Sequence, residues 1–403
     1  MKTPILAAAL LTVTAGLVFA YPSATPPPHK PPTTVIPTAV IPTSVAQQQN
    51  PRIEVVFVLD TTGSMSGMIQ AAKDNIWSIA SSMAQAKPTP ELAIGLVAFR
   101  DRGDEYVTKV VDLSTDLDQV YAQLMDFQAG GGGDTPEAVN QALSDAVNRI
   151  SWSQNREAYR TVFLVGDAPP QQYQDEAGFP QIMKSASARG IVVNTIQAGS
   201  ADDTRASWQQ IASLAGGAYF EVGQSGSAVA VVTPFDESIA ALARELDDSR
   251  MFFGDAGNRE AMAVKQAAAE KVHAGASPAA QAKRAQFNTS AAGTSNLLGE
   301  SELVDAISSG KVKLADVPTA NLPAPLVAME ADERAKAIEQ TAARRNEIKA
   351  EIGRLSSQRQ AHIETNLAAA TSSRDSLDYQ VFSTVKEQAK DKGLRYDGAK
   401  PVH

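Results

Sequence analysis

The sequence predicts an α/β protein: a doubly wound, mostly parallel sheet with one antiparallel strand, followed by a mainly α-helical C-terminal region. Three observations predict it. Between residues 52 and 250, short apolar runs alternate with segments of helical period, the pattern of a sheet covered on both faces. The run 53–59 is continuously apolar rather than alternating, as expected of a strand buried on both sides. Beyond residue 250 the chain turns alanine-rich and charged, with helical rather than strand signals.

The elements follow in order. Lys2 and the apolar run 5–19, ending Val18-Phe19-Ala20, read as a secretory signal over 1–20; an uncleaved anchor is the weaker alternative, because the run is short and broken by Thr12 and Thr14. Residues 21–51 carry Pro26-Pro27-Pro28, Pro31-Pro32 and two copies of Val-Ile-Pro-Thr; they favour polyproline II and read as a linker. The sheet domain, 52–250, opens with the strand 53–59 and a helix over 66–86 whose Met68, Ile69, Ile76, Ile79, Ala80 and Met83 share one face. Strand-like runs at 92–99 and 106–113 are joined by the short polar stretch 100–105, which suits a hairpin and hence an antiparallel second strand. Helices are expected over 116–127 and 136–150, the latter opened by Pro136 and Glu137 as helix-start signals. Then come a strand (161–166), a helix (179–188), a strand (191–198), a helix (203–215), a short strand (218–222) and a helix (234–250). In the C-terminal region, 251–403, the stretch up to residue 295 offers few core signals. Residues 296–325 suggest a small helical element with a proline-marked break. The stretch 330–367 is a long charged helix with a sparse stripe of Ile338, Ile348, Ile352, Leu355 and Ile363, and 376–392 is its neighbour. The stripe fits a coiled coil poorly and a helix packed back on the sheet domain or on that neighbour better.

Composition sets bounds. At 403 residues, 43% hydrophobic and 20% charged, the chain is long enough for two or three domains and is of globular type. A net charge of -9 with no basic cluster in the sequence argues against nucleic acid or an anionic membrane surface as the main partner. Without cysteine there are no disulfides and no thiolate metal ligands, and the four histidines, at 29, 273, 362 and 403, are too scattered for a zinc cluster.

The chemistry concentrates at Asp60-Thr61-Thr62-Gly63-Ser64-Met65-Ser66. A strand ending on an acid and turning through hydroxyls and a glycine into a helix gathers hard oxygen donors, which suits a divalent cation; Mg²⁺ keeps several waters and leaves a position open. Taken singly, Thr62 and Ser64 also serve as helix caps, and Asp167 as a turn aspartate before Pro169 and Pro170. In open α/β sheets, ligands bind beyond the carboxyl ends of the strands, where Asp60, Asp167 and a threonine carried by the glycine-rich loop can meet.

Asp60-x-Thr62-x-Ser64, the loop Gly130-Gly131-Gly132-Gly133-Asp134-Thr135-Pro136-Glu137 and the strand Val162-Phe163-Leu164-Val165-Gly166-Asp167 resemble, in this order, the metal-ion-dependent adhesion site of von Willebrand factor type A domains. The resemblance implies that Thr62 and Ser64 contact the cation directly, that Asp60 and Asp167 act directly or through water, and that Thr135 joins when ligand is bound tightly. Asp134 interrupts the usual glycine–threonine spacing and is the alternative to Thr135. The implied cofactor is a divalent cation, Mg²⁺ first, with Mn²⁺ and Ca²⁺ as alternatives. The implied function is an exported, periplasmic or extracellular, protein-binding module whose metal accepts a carboxylate from a protein or peptide partner. The alternative is a structural envelope protein that assembles through its C-terminal helices, with the metal only stabilising.

The charged segment 100–105 lies near the same edge and reads either as a solvated hairpin turn or as a group that orients a partner. Enzymatic readings fare poorly. There is no Gly-x-Ser-x-Gly elbow, no histidine between His29 and His273 to act as base, and no Gly-Lys-Ser/Thr after the glycines to hold a phosphate.

Overall fold

In a computed structural model, residues 51–133, 136–226, 232–367 and 376–399 are described. The expected signal (1–20) and, apart from Pro51, the linker (21–51) lie outside them. The described elements are β1 (Arg52–Asp60), α1 (Ser66–Met83), β2 (Glu91–Phe99), β3 (Thr108–Ser114), α2 (Leu117–Leu124), α3 (Val139–Asn148), β4 (Tyr159–Gly166), α4 (Phe179–Ala188), β5 (Ile191–Ala198), α5 (Asp202–Leu214), β6 (Tyr219–Val222), α6 (Asp236–Asp248), α7 (Ala256–Gly275), α8 (Pro278–Asn288), α9 (Thr294–Leu298), α10 (Leu303–Ser308), α11 (Ala324–Val327), α12 (Ala331–Leu367) and α13 (Leu377–Gln388).

The sheet runs β3-β2-β1-β4-β5-β6, with β3 antiparallel to β2 and the other pairings parallel. β1 is central, so both its faces are covered. Val55, Phe57 and Leu59 join one core with α1, α2 and α13, while Val56 and Val58 join the other with α3, α4 and α5. A period of two along a strand puts alternate residues on opposite faces, so a strand serving two cores must be apolar throughout. The chain winds from β1 to β2 on one side and resumes at β4 on the other. The strand order therefore reverses between β1 and β4.

Helix α1 is buried nearly all round, including Asn75, Ser78, Ser81 and Ser82, because α8 and α13 cover the side that faces away from the sheet. Trp77 sits edge-on to Tyr121 of α2 at 5.5 Å and 5.9 Å from Phe287 of α8. The methionine and isoleucine face of α1 is core, as its spacing suggested.

One sequence expectation needs correction, and two take a definite form. The stretch before residue 295 is well packed: it forms α7 and α8, whose Ala268, Ala269, Ala280, Ala282 and Ala285 are buried, small enough for close helix approach yet too small to register as an apolar stripe. The stripe on α12 is spent inside the chain, Ile348, Ile352 and Leu355 against α6 and α8, and Ile338 beside α10; α13 instead packs on α1. Helix α6, counted with the sheet domain from sequence, buries Ile239, Ala243 and Leu246 in that same helical cluster. Among the described residues no helix is long and apolar enough to cross a membrane.

Candidate metal centre

Asp60 ends β1 at the point where the strand order reverses, and Asp167 follows the last residue of the neighbouring β4. Asp60 is 1% exposed. Its Oδ1 accepts from the Thr62 backbone N–H (2.9 Å) and hydroxyl (2.7 Å), while its Oδ2 is buried with no hydrogen-bond partner. Thr62 Oγ1 lies 3.4 Å from Ser64 Oγ. Asp60, Thr62 and Ser64 thus form one chain of oxygens leading from the core to the surface, and neither hydroxyl caps the following helix. Asp167, half-buried, accepts from Gln224 Nε2 at 2.7 Å.

An open cleft of ≈ 320 Å³ lies over this edge, lined by Thr62, Gly63, Ser64, Gly132, Gly133, Glu137 and Asp167. Two glycines let the walls close in. A Cβ on Gly166 would stand 3.0 Å from Asp60 Cβ and 3.1 Å from Asp60 Oδ2, and one on Gly132, at φ +75°, would stand 3.1 Å from Thr62 Cβ. Asp134 and Thr135, the two alternatives for the loop ligand, lie outside the described residues.

The segment 100–105 is not simply a solvated turn. Arg100 and Asp101 are buried. Arg100 donates to the carbonyls of Thr61 (3.1 Å) and Gln128 (2.9 Å), and Asp104 accepts from the Gly132 N–H at 3.2 Å, so the segment pins the glycine-rich loop against the Asp60 loop. Arg102 lies over the Tyr173 ring at 3.7 Å and pairs with Asp175 at 2.8 Å, and Tyr173 donates to Asp101 at 2.7 Å.

Glu137 is the residue that the sequence reading misplaced. It is no helix-start acid, because α3 begins only at Val139. The Glu137 N–H donates to Pro169 O (3.0 Å), the Gln171 N–H donates to Glu137 O (2.7 Å), and Glu137 forms a parallel bridge with Pro170. These bonds pull the chain out of helical geometry and hold Glu137 beside the Asp167 loop. Its side chain is 2% exposed, lines the cleft, and has Oε2 buried without a partner. The available signal was the double proline after Asp167, which supplies free carbonyls for a neighbouring strand-like residue.

Burial pushes the Asp60 carboxyl up to about 7, against the Thr62 hydrogen bonds and the pull of the nearby Asp167 backbone N–H, and helped by the charge on Asp167. It pushes Glu137 up to about 8, aided by the charges of Asp60, Asp101, Asp104 and Asp167. Carboxylates assembled this way lack a counter-charge. The donor set is carboxylate and hydroxyl oxygen throughout, which fits a hard divalent cation, and the orphaned Asp60 Oδ2 faces a need that such an ion meets. Among the described residues, no group of three His, Cys, Asp or Glu side chains closes on a metal-sized point by itself, so hydroxyls and water must complete any shell.

A family model described as von Willebrand factor A domain matches residues 54–233. A stretch of 97 residues is 37% identical to von Willebrand factor A domain-containing protein 7 of Rattus norvegicus, covering 24% of this chain but only 10% of the rat protein. Among solved structures, the SpRpn10 VWA domain aligns at 13% identity and TM-score 0.34 over 45% of this chain and 100% of its own. Proximal thread matrix protein 1 of the mussel byssus aligns at 17% identity and TM-score 0.34 over 44% and 43%. A further structure of that mussel protein has a zinc-occupied MIDAS motif.

Proposed function

Residues 54–233 are a von Willebrand factor A domain, and from that premise we propose that this protein is an exported binding module whose divalent cation takes an oxygen donor, expected to be an acidic side chain, from a protein or peptide partner. Domains of this kind are in general interaction modules rather than enzymes. The proposed ligands are Asp60, Thr62, Ser64 and Asp167, with Thr135, or Asp134 beside it, from the glycine-rich loop. Mg²⁺ is the proposed ion.

One observation carries the reading. Asp60 is a buried carboxylate whose Oδ2 has no partner, and it continues through Thr62 and Ser64 into an open cleft. Leaving a carboxylate desolvated and unpaired costs several kcal/mol, so a fold that retains one has a use for it. The bound cation supplies the missing charge and polarises whatever oxygen takes its open position. The residues of this chain hold the ion from one side, leaving the cleft side to the partner. The scaffold alternative needs a free apolar seam on the C-terminal helices, and the α12 stripe is already buried within the chain.

The test is a calorimetric Mg²⁺ titration of the mature protein and of Asp60→Ala. The account expects one saturable site in the first and none in the second, and equal heats in both would overturn it. Residues 1–20 are proposed to be removed on export, so the mature N-terminus should read Tyr21.

A further inference from the structure

We propose that Glu137 is an outer carboxylate of the metal centre, holding water bound to the cation from the lining of the cleft it shares with Thr62 and Ser64. The inference rests on the metal reading above and extends it to a residue outside the Asp-x-Thr-x-Ser pattern. Four observations meet at Glu137. Its side chain is 2% exposed. Its Oε2 is buried with no partner among the described residues. It lines the same cleft as Thr62, Ser64 and Asp167. A single point one bond from the Gly132 Cα lies 3.1 Å from Thr62 Cβ and 3.5 Å from Glu137 Oε1, so the Glu137 carboxylate lies close to Thr62 beside the glycine.

The backbone explains why Glu137 stays there. Its N–H and C=O are both spent on the Pro169–Gln171 segment that follows β4, and Ala138 N–H donates to Arg100 O at 3.3 Å. These backbone bonds to the segments after β4 and β2 fix the position. Nearby cations do not neutralise it: Arg100 is committed to Thr61, Gln128 and Glu105, and Arg102 to Asp175 and Glu176.

Among the described residues no three carboxylates close on one metal-sized point, so Glu137 is assigned to the outer shell beside Asp60 and Asp167. A hard cation such as Mg²⁺ gives up its waters reluctantly, and an acceptor within reach of those waters orients them and adds negative charge to the shell. With Asp60, Asp167 and Glu137 ionised, three negative charges surround two positive ones. The loaded cleft then grips the cation firmly and pulls less on a partner's acid than it would without Glu137.

The experiment compares wild type, Glu137→Gln and Asp60→Ala as full mature chains. Mn²⁺ affinity is read by calorimetry and paramagnetic resonance, and thermal midpoints are read with chelator and with Mg²⁺. Outer-shell partners of metal sites are typically worth about 10–100-fold in affinity. Glu137→Gln is expected to weaken Mn²⁺ binding at least about tenfold, to change the resonance line shape of the bound ion, and to melt in chelator no lower than wild type, because the replaced Oε2 gives up no partner. If Glu137→Gln binds Mn²⁺ as wild type does while Asp60→Ala does not, the role of Glu137 is overturned and the metal centre stands. If wild type itself binds no Mn²⁺, both readings fall. A lower midpoint of Glu137→Gln in chelator with unchanged affinity would mark Glu137 as purely structural and overturn the inference.

Discussion

Two sets of buried carboxylates in this molecule are built in opposite ways. In the C-terminal helices and their seam with the sheet domain, the buried acids Asp118, Asp236, Asp247 and Glu302 each have an arginine. Arg284 grips Asp118 with two bonds of 2.6 Å and reaches Asp247 at 2.7 Å, Arg345 holds Glu302 at 2.7 Å, and Arg359 holds Asp236 at 2.7 Å. The neighbouring charges of Arg284 and Arg250 and a His273 hydrogen bond hold the Asp247 carboxyl below its ordinary range against desolvation. Arg345 does the same for Glu302. At the sheet edge, Asp60 and Glu137 are as deeply buried, neither is paired with an arginine, and each is pushed up instead of down. The same chain that supplies an arginine to acid after acid supplies none here. That contrast is the strongest physical sign that the positive charge at the sheet edge comes from outside the chain.

The comparison can be broken at several points, the largest expected effect first. Replacing Arg284 by Met strands Asp118 and leaves Asp247 with only His273 and Arg250. Breaking one partner of a buried pair costs about 3–5 kcal/mol, so urea unfolding should show a loss of that order, with α7 and α8 losing hydrogen-exchange protection first. At the sheet edge, cation binding should add stability by mass action, about 2.7 kcal/mol at a hundred times Kd, and chelator should remove it.

Acid and base should act on the two regions with opposite sign. Asp247 and Glu302 are depressed when folded, so their contribution is complete above the unfolded value near 4 and is lost as pH falls below it. Near-UV circular dichroism should therefore show the helical seam loosening between pH 5 and 2. Asp60 is raised from 3.8 to about 7, so the metal-free protein binds more protons folded than unfolded across that window and loses stability as pH rises through it. A stability curve in chelator that rises from pH 4 to 7 at the sheet edge would contradict the unpartnered state of Asp60.

Smaller effects sharpen the geometry. Gly166→Ala places a methyl 3.0 Å from Asp60 Cβ and 3.1 Å from the Trp208 ring, and should cost about 1–3 kcal/mol by overpacking, with a weaker cation site in the same titration. Thr135→Ala and Asp134→Ala, compared by Mg²⁺ calorimetry, identify the loop ligand: the account expects the larger loss for Thr135→Ala.

Much of this was legible in the sequence, and the failures have physical reasons. The strands of the central sheet declared themselves because a strand serving two cores has to be apolar at every position, as 53–59 is. Asp60 and Asp167 could be placed because acids at strand ends face the same edge whatever the loops do. The structure brings Asp167, Thr62 and Ser64 to one cleft and sets Asp60 behind them on Thr62. Glu137 was misread because proline followed by an acid is a sound helix-start signal locally, and only the long-range bonds to Pro169 and Gln171 override it. The helices before residue 295 were hardest to see: the buried face of α8 is largely alanine with Lys283 and Arg284, 7% and 1% exposed, and residues of that kind read as surface until their distant partners are known. Lys283, for example, donates to Asp74 O and Asn75 Oδ1 on α1, both at 3.1 Å.

The central claim is that a cation, not a side chain, neutralises the sheet edge, and thermal midpoints of wild type and Asp60→Asn, each in chelator and in Mg²⁺, test it most directly. The account predicts that Mg²⁺ raises the wild-type midpoint by several degrees and leaves Asp60→Asn unchanged, with Asp60→Asn melting no lower than wild type when both are in chelator. A wild-type midpoint indifferent to Mg²⁺, together with an Asp60→Asn midpoint well below it in chelator, would contradict the claim and make Asp60 an ordinary part of the fold.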